Sequence, residues 1–393
     1  MQTDSGSFAQ AVDLAAAGGT EKLVIQISGV DKGDTARFLL SADSLLAAAA
    51  RLPQGILSFR AAGAEYDIPV SLLDVIRTAG GIAGDPGEWQ LAVSLSRLTG
   101  AAATAADAAA AAGARGVSVL GDWFDFQLAL QSGEKEQAIS GFGSTFVART
   151  IPVSDRVNVG RATAVTFDPQ EGTIEFVPSV FETDEEGQTW VTIRRNSNSI
   201  YGAVSVERSF TDLDGHWAAE DVERLASKLL LEGRETDRFA PDALITRAEL
   251  ATLLVRALGL VRYEPAAPFT DVMNSDWYAA SVTTAQKAGL AEGYGDGSFR
   301  PDEFISREEL AVFLSRMAAY AGVRLESVRE QELDSFFDSN DISVWAREDM
   351  AQMVAGGIME GSSNNALEPA ERSTRAEAAA MLGRILKSAG FIN

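Results

Sequence analysis

Three copies of one residue pattern fill the second half of this chain, and an internal repeat of that kind restricts the fold more tightly than composition does. Each copy runs from an aromatic residue through a Trp-led helical stretch and a turn ending in Pro to a Thr/Ser-Arg-x-Glu tetrapeptide opening a second helical stretch. The tetrapeptides are Thr246-Arg247-Ala248-Glu249, Ser306-Arg307-Glu308-Glu309 and Thr374-Arg375-Ala376-Glu377. Trp217/Trp277/Trp345, Gly233/Gly293/Gly361 and Pro241/Pro301/Pro369 recur in step with them. The apolar rows recur too, with Leu250, Leu253, Leu254 and Ala257 answered by Leu310, Phe313, Leu314 and Met317 and by Ala378, Met381, Leu382 and Ile385. A helix pair has one shared interface and leaves its other apolar stripe open, so the three pairs should associate in one body. The repeats are expected at residues 209–268, 269–333 and 334–393.

The first half reads differently. Residues 1–19, rich in Ala, Gly and Ser, suggest a linker tail. Residues 20–208 carry short alternating or apolar runs suited to strands, among them Leu23 to Ile27, Arg37 to Leu40, Ile56 to Phe59, Gln90 to Leu95, Trp123 to Leu130, Phe146 to Ile151 and Trp190 to Arg194. Gly172 and Gly187 close the expected hairpin turns Asp168–Gly172 and Asp184–Gly187. Helices are expected across Ala42 to Arg51 behind Ser41 and across Leu72 to Thr78 behind Ser71, each serine placed to cap free N–H groups. This gives an α+β domain, mostly antiparallel β with two short helices, followed by an all-α pseudo-threefold bundle. The Ala-rich stretch Ala101 to Ala112 has no large apolar face and reads as a mobile insertion or a weakly held helix.

At 393 residues the chain holds two or three globular units. A net charge of −23 repels nucleic acid and anionic lipid. No apolar run reaches the ~18 residues of a membrane span. The opening Met1-Gln2-Thr3-Asp4 lacks the basic and apolar stretches of an export signal, so the chain reads as a fragment of a longer precursor. With no cysteine and one histidine, thiolate chemistry, a Ser-His-Asp triad and a His-rich zinc site have almost no material. That histidine, His216, precedes Trp217, where the other repeats place Asp276 and Val344, so no catalytic role is expected for it. No cofactor is expected. Calcium at the acidic hairpin tip Glu182, Asp184, Glu185 and Glu186 would lack the alternating ligand spacing of a recognised loop.

The tetrapeptide has a local explanation as a capping box, in which Thr246, Ser306 and Thr374 pair with Glu249, Glu309 and Glu377. The arginine is left over. A cation in the first helical turn opposes the helix dipole, so Arg247, Arg307 and Arg375 need a partner. Two readings stay open: an anion held by the guanidinium and the helix-start N–H groups, or an acidic residue of the neighbouring repeat. The preceding loops differ, with Gly293-Tyr294-Gly295-Asp296-Gly297-Ser298-Phe299 offering a flat Tyr face, against Gly233-Arg234-Glu235-Thr236-Asp237-Arg238-Phe239 and Gly361-Ser362-Ser363-Asn364-Asn365-Ala366-Leu367. Three binding sites built from these would be unequal. For Trp217, Trp277 and Trp345 a packing role is expected ahead of sugar stacking.

Phe210-Thr211-Asp212 with Gly215-His216-Trp217-Ala218, Gly293-Tyr294-Gly295-Asp296-Gly297-Ser298-Phe299-Arg300-Pro301 and Ile305-Ser306-Arg307-Glu308-Glu309 resemble the S-layer homology (SLH) repeats of bacterial surface proteins. The resemblance covers roughly Ser209 to Gly390. It implies a pseudo-threefold set of repeats binding secondary cell-wall polysaccharides, commonly pyruvylated, in grooves between repeats. By position, Arg247, Arg307 and Arg375 would meet the ketal carboxylate, with Gly233 and then Gly293, Tyr294, Asp296 and Gly297 lining grooves. The third repeat departs, lacking the Gly-Tyr-x-Asp-Gly loop and the Gly-His pair. The run from Val177 through Trp190 to Tyr201 is similar to a module preceding such repeats in surface proteins of Gram-positive spore-formers, which carries no known activity.

The expected function is therefore non-catalytic, extracellular anchoring of an upstream cargo domain to a cell-wall polysaccharide. The alternatives are a carbohydrate-active enzyme with catalytic carboxylates in residues 20–208, and a lattice-forming S-layer protein. Oligomeric state is left open.

Overall fold

Period-two burial organises the first unit: Val147, Arg149, Ile151 and Val153 point inward along one strand, and half-buried residues alternate with them. In this computed structural model, which describes residues 5–73, 75, 89–113, 116–153, 157–323, 325, 330–362 and 364–393, the chain divides into two units, Met1–Val206 and Glu207–Asn393.

In the first unit two sheets face each other. One has six strands in the spatial order Lys22–Gln26, Ile56–Ala61, Ala64–Pro69, Val147–Val153, Thr189–Arg195 and Ser179–Thr183. Its first pair is parallel and its other pairs are antiparallel. The other sheet orders Thr173–Val177, Ala162–Asp168, Ile200–Ser205, Phe124–Ser132, Gln90–Arg97 and Thr35–Ser41, with two short strands alongside. Aromatic pairs bridge the sheets, Phe38 with Phe59 at 5.2 Å and Tyr66 with Phe126 at 5.4 Å between ring centroids, so one core fills the gap. The expected strand runs all fall on strands. Ala64–Pro69 carries no strand signal in the sequence, because Glu65, Asp67 and Pro69 on its outer face resemble a loop.

Two corrections concern helices. Residues 5–18 are not a bare linker, because a helix Ser5–Gly18 buries Phe8 and Val12 in the sandwich core. The Ala-rich stretch is a helix, Gly100–Gly113, that buries Ala106, Ala109 and Ala110. Its small side chains allow close approach: Gly113 lies against Ile174, and Asp107 accepts the Trp123 indole N–H at 2.9 Å. The helix Ala42–Arg51 forms behind its Ser41 cap, as expected. The expected helix Leu72 to Thr78 lies largely outside the described residues.

The second unit is helical. Its repeats contribute the pairs Ala219–Ser227 and Arg247–Ala257, Ala279–Lys287 and Arg307–Tyr320, and Arg347–Ala355 and Arg375–Ser388. Leu250, Leu254, Leu310, Leu314, Ala378 and Leu382 are fully buried, as the repeated apolar rows require. Just before each second helix the backbone closes a ring. Ile245 N–H donates to Ser373 O at 3.1 Å, Ser373 N–H to Ile305 O at 2.9 Å, and Ile305 N–H to Ile245 O at 3.1 Å. Among the described residues no helix is long and apolar enough to cross a membrane.

Candidate functional site at the repeat junctions

Each junction begins with a strained turn. Ala240, Arg300 and Glu368 adopt φ of 60°, 57° and 52°, a left-handed region that costs a residue with a Cβ about 1–2 kcal/mol. An aspartate holds each turn. Asp212 accepts from the N–H of Phe239 and Ala240, Asp271 from those of Phe299 and Arg300, and Asp338 from those of Leu367 and Glu368, all at 2.7–2.9 Å. Burial raises the Asp212 carboxyl, yet these N–H donors outweigh it and hold the group below its ordinary range. Sequence reasoning assigned these aspartates no role, although the aromatic-x-Asp triplet recurs in every repeat.

The turn aims the chain into a second helix, and all three capping boxes form as expected. The remaining helix-start donors are also used. The N–H groups of Arg247 and Ala248 bind Glu303 O and Pro301 O, those of Arg307 and Glu308 bind Glu371 O and Pro369 O, and those of Arg375 and Ala376 bind Ala243 O and Pro241 O. No open set of N–H groups is left there for an anion, which corrects that part of the expectation.

The arginines follow the same cycle. Arg247 donates through Nε to Phe299 O at 2.9 Å, through Nη2 to Glu292 O at 3.1 Å and through Nη1 to Glu309 at 3.0 Å. Arg307 repeats this one repeat further on, reaching Leu367 O at 2.7 Å, Glu360 O at 3.1 Å and Glu377 at 2.6 Å. Arg375 returns to the first repeat, binding Phe239 O at 3.1 Å and Glu232 O at 2.9 Å, but its Nη1 stays 3.9 Å from Glu249. Of the two open readings, the acidic neighbour is therefore the one met at Arg247 and Arg307. Each capping glutamate uses one oxygen for its own cap and turns the other toward the arginine of the preceding repeat.

The residue after the loop glycine sets how each glutamate is shared. Tyr294 donates its hydroxyl to Glu309 at 2.8 Å, and burial with Glu309 beside it raises its pKa despite Arg247. The Tyr294 ring is already occupied by cations, with the Arg300 guanidinium 3.9 Å and that of Arg247 4.8 Å from its centroid, so its face is not the free platform expected. In the third repeat Ser362 stands at this place with its hydroxyl buried and without a hydrogen-bond partner among the described residues. In the first repeat it is Arg234, which approaches Glu249 at 3.4 Å. Two guanidinium groups thus converge on Glu249, and neither makes a close pair. Burial lowers the pKa of Arg375 and Arg234 lowers it further, while Glu249 and Asp212 offset this only in part.

Other residues assigned to ligand binding have local explanations. A Cβ at Gly293 would lie 2.4 Å from the Phe269 ring, one at Gly361 2.5 Å from the Phe336 ring, and one at Gly233 2.4 Å from Glu235 O, so these glycines are required by the loop itself. Asp296 is exposed and folds onto Ser298 and Arg300, bonds that bring its pKa down to about 2. Gly297 turns the same loop at φ 82°. The tryptophans overturn the packing expectation: Trp217, Trp277 and Trp345 are 63%, 68% and 57% exposed. His216 touches Asp242 at 3.4 Å through Nε2 and accepts the Ala218 N–H at 3.2 Å through Nδ1. Among the described residues no group of three or more His, Asp or Glu side chains is arranged to hold a metal ion.

The comparison with known families fits this cyclic geometry. The S-layer homology domain matches three times, at residues 209–251, 268–311 and 336–379, and the chain carries three S-layer homology domains. It is 33% identical over 261 residues to an amylopullulanase of Thermoanaerobacterium thermosulfurigenes, an alignment covering 65% of this chain and 14% of that protein. It is 32% identical over 211 residues to exoglucanase XynX of Acetivibrio thermocellus, covering 52% and 19%. It is 30% identical over 185 residues to an S-layer protein of Bacillus thuringiensis subsp. finitimus, covering 47% and 22%. The chain thus spans under a quarter of the length of each of these relatives. S-layer homology domains imply attachment at the cell surface, and they bind cell-wall polysaccharide in general.

Proposed function

We propose that this chain is a non-catalytic anchor that holds a larger extracellular protein to the cell wall by binding an anionic, pyruvylated polysaccharide between its repeats, and that the three junctions contribute unequally. The observation that carries this reading is the pair of guanidinium groups at Glu249. Arg247 and Arg307 lie 3.0 and 2.6 Å from Glu309 and Glu377, with Arg372 a further neighbour of Glu309 at 3.6 Å, whereas Arg375 and Arg234 stand 3.9 and 3.4 Å from Glu249, so the junction of the third repeat with the first lacks a close ion pair. A ketal carboxylate entering there would take up the terminal N–H groups that Glu249 leaves loosely bound. The joint variant Arg234→Gln/Arg375→Gln should lower retention on purified cell walls about tenfold or more, with its thermal melt monitored to separate lost binding from lost folding. Unchanged retention by a folded variant would refute the assignment. Molar salt should weaken binding only in part, because a partly buried pair is screened less than an open surface.

A catalytic first unit is favoured by one observation only. Glu65 and Asp67 lie side by side on a strand face and both approach Lys22. Burial raises Glu65, but bonds from Lys22, Ser58 and Arg60 pull it down to about 2, whereas burial keeps Asp67 raised. Release of reducing ends from wall glycan that disappears in Asp67→Asn would support that reading.

A further inference from the structure

The sandwich holds a cleft of about 720 Å³ that the anchoring function does not use. Its walls are the loop around Gln26 and Asp31 and the hairpin carrying Arg60 and Glu65, and Thr150 and Trp190 of neighbouring strands also line it. Its volume falls within the ~300–1,000 Å³ of small-molecule sites.

Three features define what it would take. First, its charge is balanced within the protein. The lining arginines Arg60 and Arg97 are matched in number by Asp31 and Glu65; Arg60 binds Glu65 at 2.9 Å, and Arg97 is paired with Asp122. Unlike Arg375, which stands 3.9 Å from Glu249, both cleft arginines are closely held by a carboxylate and are not free to select an ion. Second, it joins one broad aromatic plane to donors and acceptors, the Gln26 amide, the Thr150 hydroxyl and the Glu65 carboxylate. A sugar ring, apolar on its C–H face and rich in hydroxyls at its edge, is complementary to that mixture. Third, the polar groups are fixed on strands and held by neighbours. The Trp190 indole donates to Asp184 at 2.9 Å, Thr150 pairs with Thr192 at 3.1 Å, and Ser58 donates to Glu65 at 2.7 Å.

We infer that this cleft binds a neutral oligosaccharide segment, a second glycan contact chemically distinct from the repeat junctions. The inference does not depend on the anchoring mechanism. Calorimetric titration of the full chain with maltohexaose, cellohexaose, xylohexaose and chitohexaose, beside an oligogalacturonate, tests it. At least one neutral oligosaccharide should bind, and Trp190→Ala should weaken that binding about five- to tenfold while Trp190→Phe restores part of it. Gln26→Ala, at an exposed strand end, serves if Trp190→Ala melts early, and it too should weaken binding. Arg375→Gln should leave this binding unchanged. The inference fails if no neutral oligosaccharide binds at millimolar concentration, if only oligogalacturonate binds, or if folded Trp190 and Gln26 variants bind as the parent does.

Discussion

The first and second repeats share a backbone plan and differ in what it does with charge. At Glu309 of the second repeat, Tyr294 and Arg247 make close hydrogen bonds at 2.8 and 3.0 Å to one oxygen, and Arg372 lies 3.6 Å from the other. At Glu249 of the first repeat, Arg234 and Arg375 stand off at 3.4 and 3.9 Å. The first repeat departs at two further places. Lys228 is 1% exposed where its sisters have Ala288 and Gly356, and Leu229 takes φ 61° where they have Gly289 and Gly357. A symmetric scaffold can thus carry one asymmetric site, because changing the side chain after a loop glycine leaves the backbone ring intact.

The largest expected effect tests the closed junction. Arg307→Ala leaves Glu377 without its partner and two carbonyls unbound, and should cost about 3–5 kcal/mol by urea denaturation. Arg375→Ala should cost about 1–3 kcal/mol, through its carbonyls alone. Equal costs would remove the distinction between the junctions.

Lys228 gives the next effect. Burial, helped by Arg224 and Lys387, brings its pKa from 10.5 down to about 8. Between pH 8 and 10.5 the unfolded chain binds more protons at this site than the folded one, so its contribution to stability should rise with pH across that window and its full cost persist below it. Lys228→Met should raise stability near neutral pH by up to about 3 kcal/mol and flatten the slope, as read from urea midpoints at pH 7 and 10.

Asp271→Ala should cost about 2 kcal/mol, because Phe299 and Arg300 lose their shared acceptor while Arg300 stays at positive φ. Asp212→Ala and Asp338→Ala should match it, since this device is common to all repeats. The smallest effect is a gain: Leu229→Gly should stabilise by about 0.5–1 kcal/mol by giving the first repeat the turn residue of the others.

What was legible in the sequence follows from the range of each interaction. The capping boxes could be read because cap and glutamate are three residues apart. The arginine partners could not, because Arg375 binds carbonyls 136 and 143 residues away, and periodicity says which residues repeat but not which copy they touch. The exposure of the tryptophans is not legible, because a large apolar residue before a helix usually faces the core. In the sandwich the strand runs were legible from alternation. The pairing that brings Thr150 beside Glu65 and Trp190 beside Pro152, and so builds the cleft, was not.

The central claim is that the loosely paired arginines at Glu249 receive the acidic substituent of the wall glycan. Titration of the parent chain and of Arg375→Gln with isolated wall polysaccharide, before and after chemical removal of its pyruvyl groups, tests this most directly. The account predicts that the parent loses affinity when the pyruvyl groups are removed and that Arg375→Gln binds both preparations equally weakly. A folded Arg375→Gln that still distinguished the two preparations as strongly as the parent would contradict it.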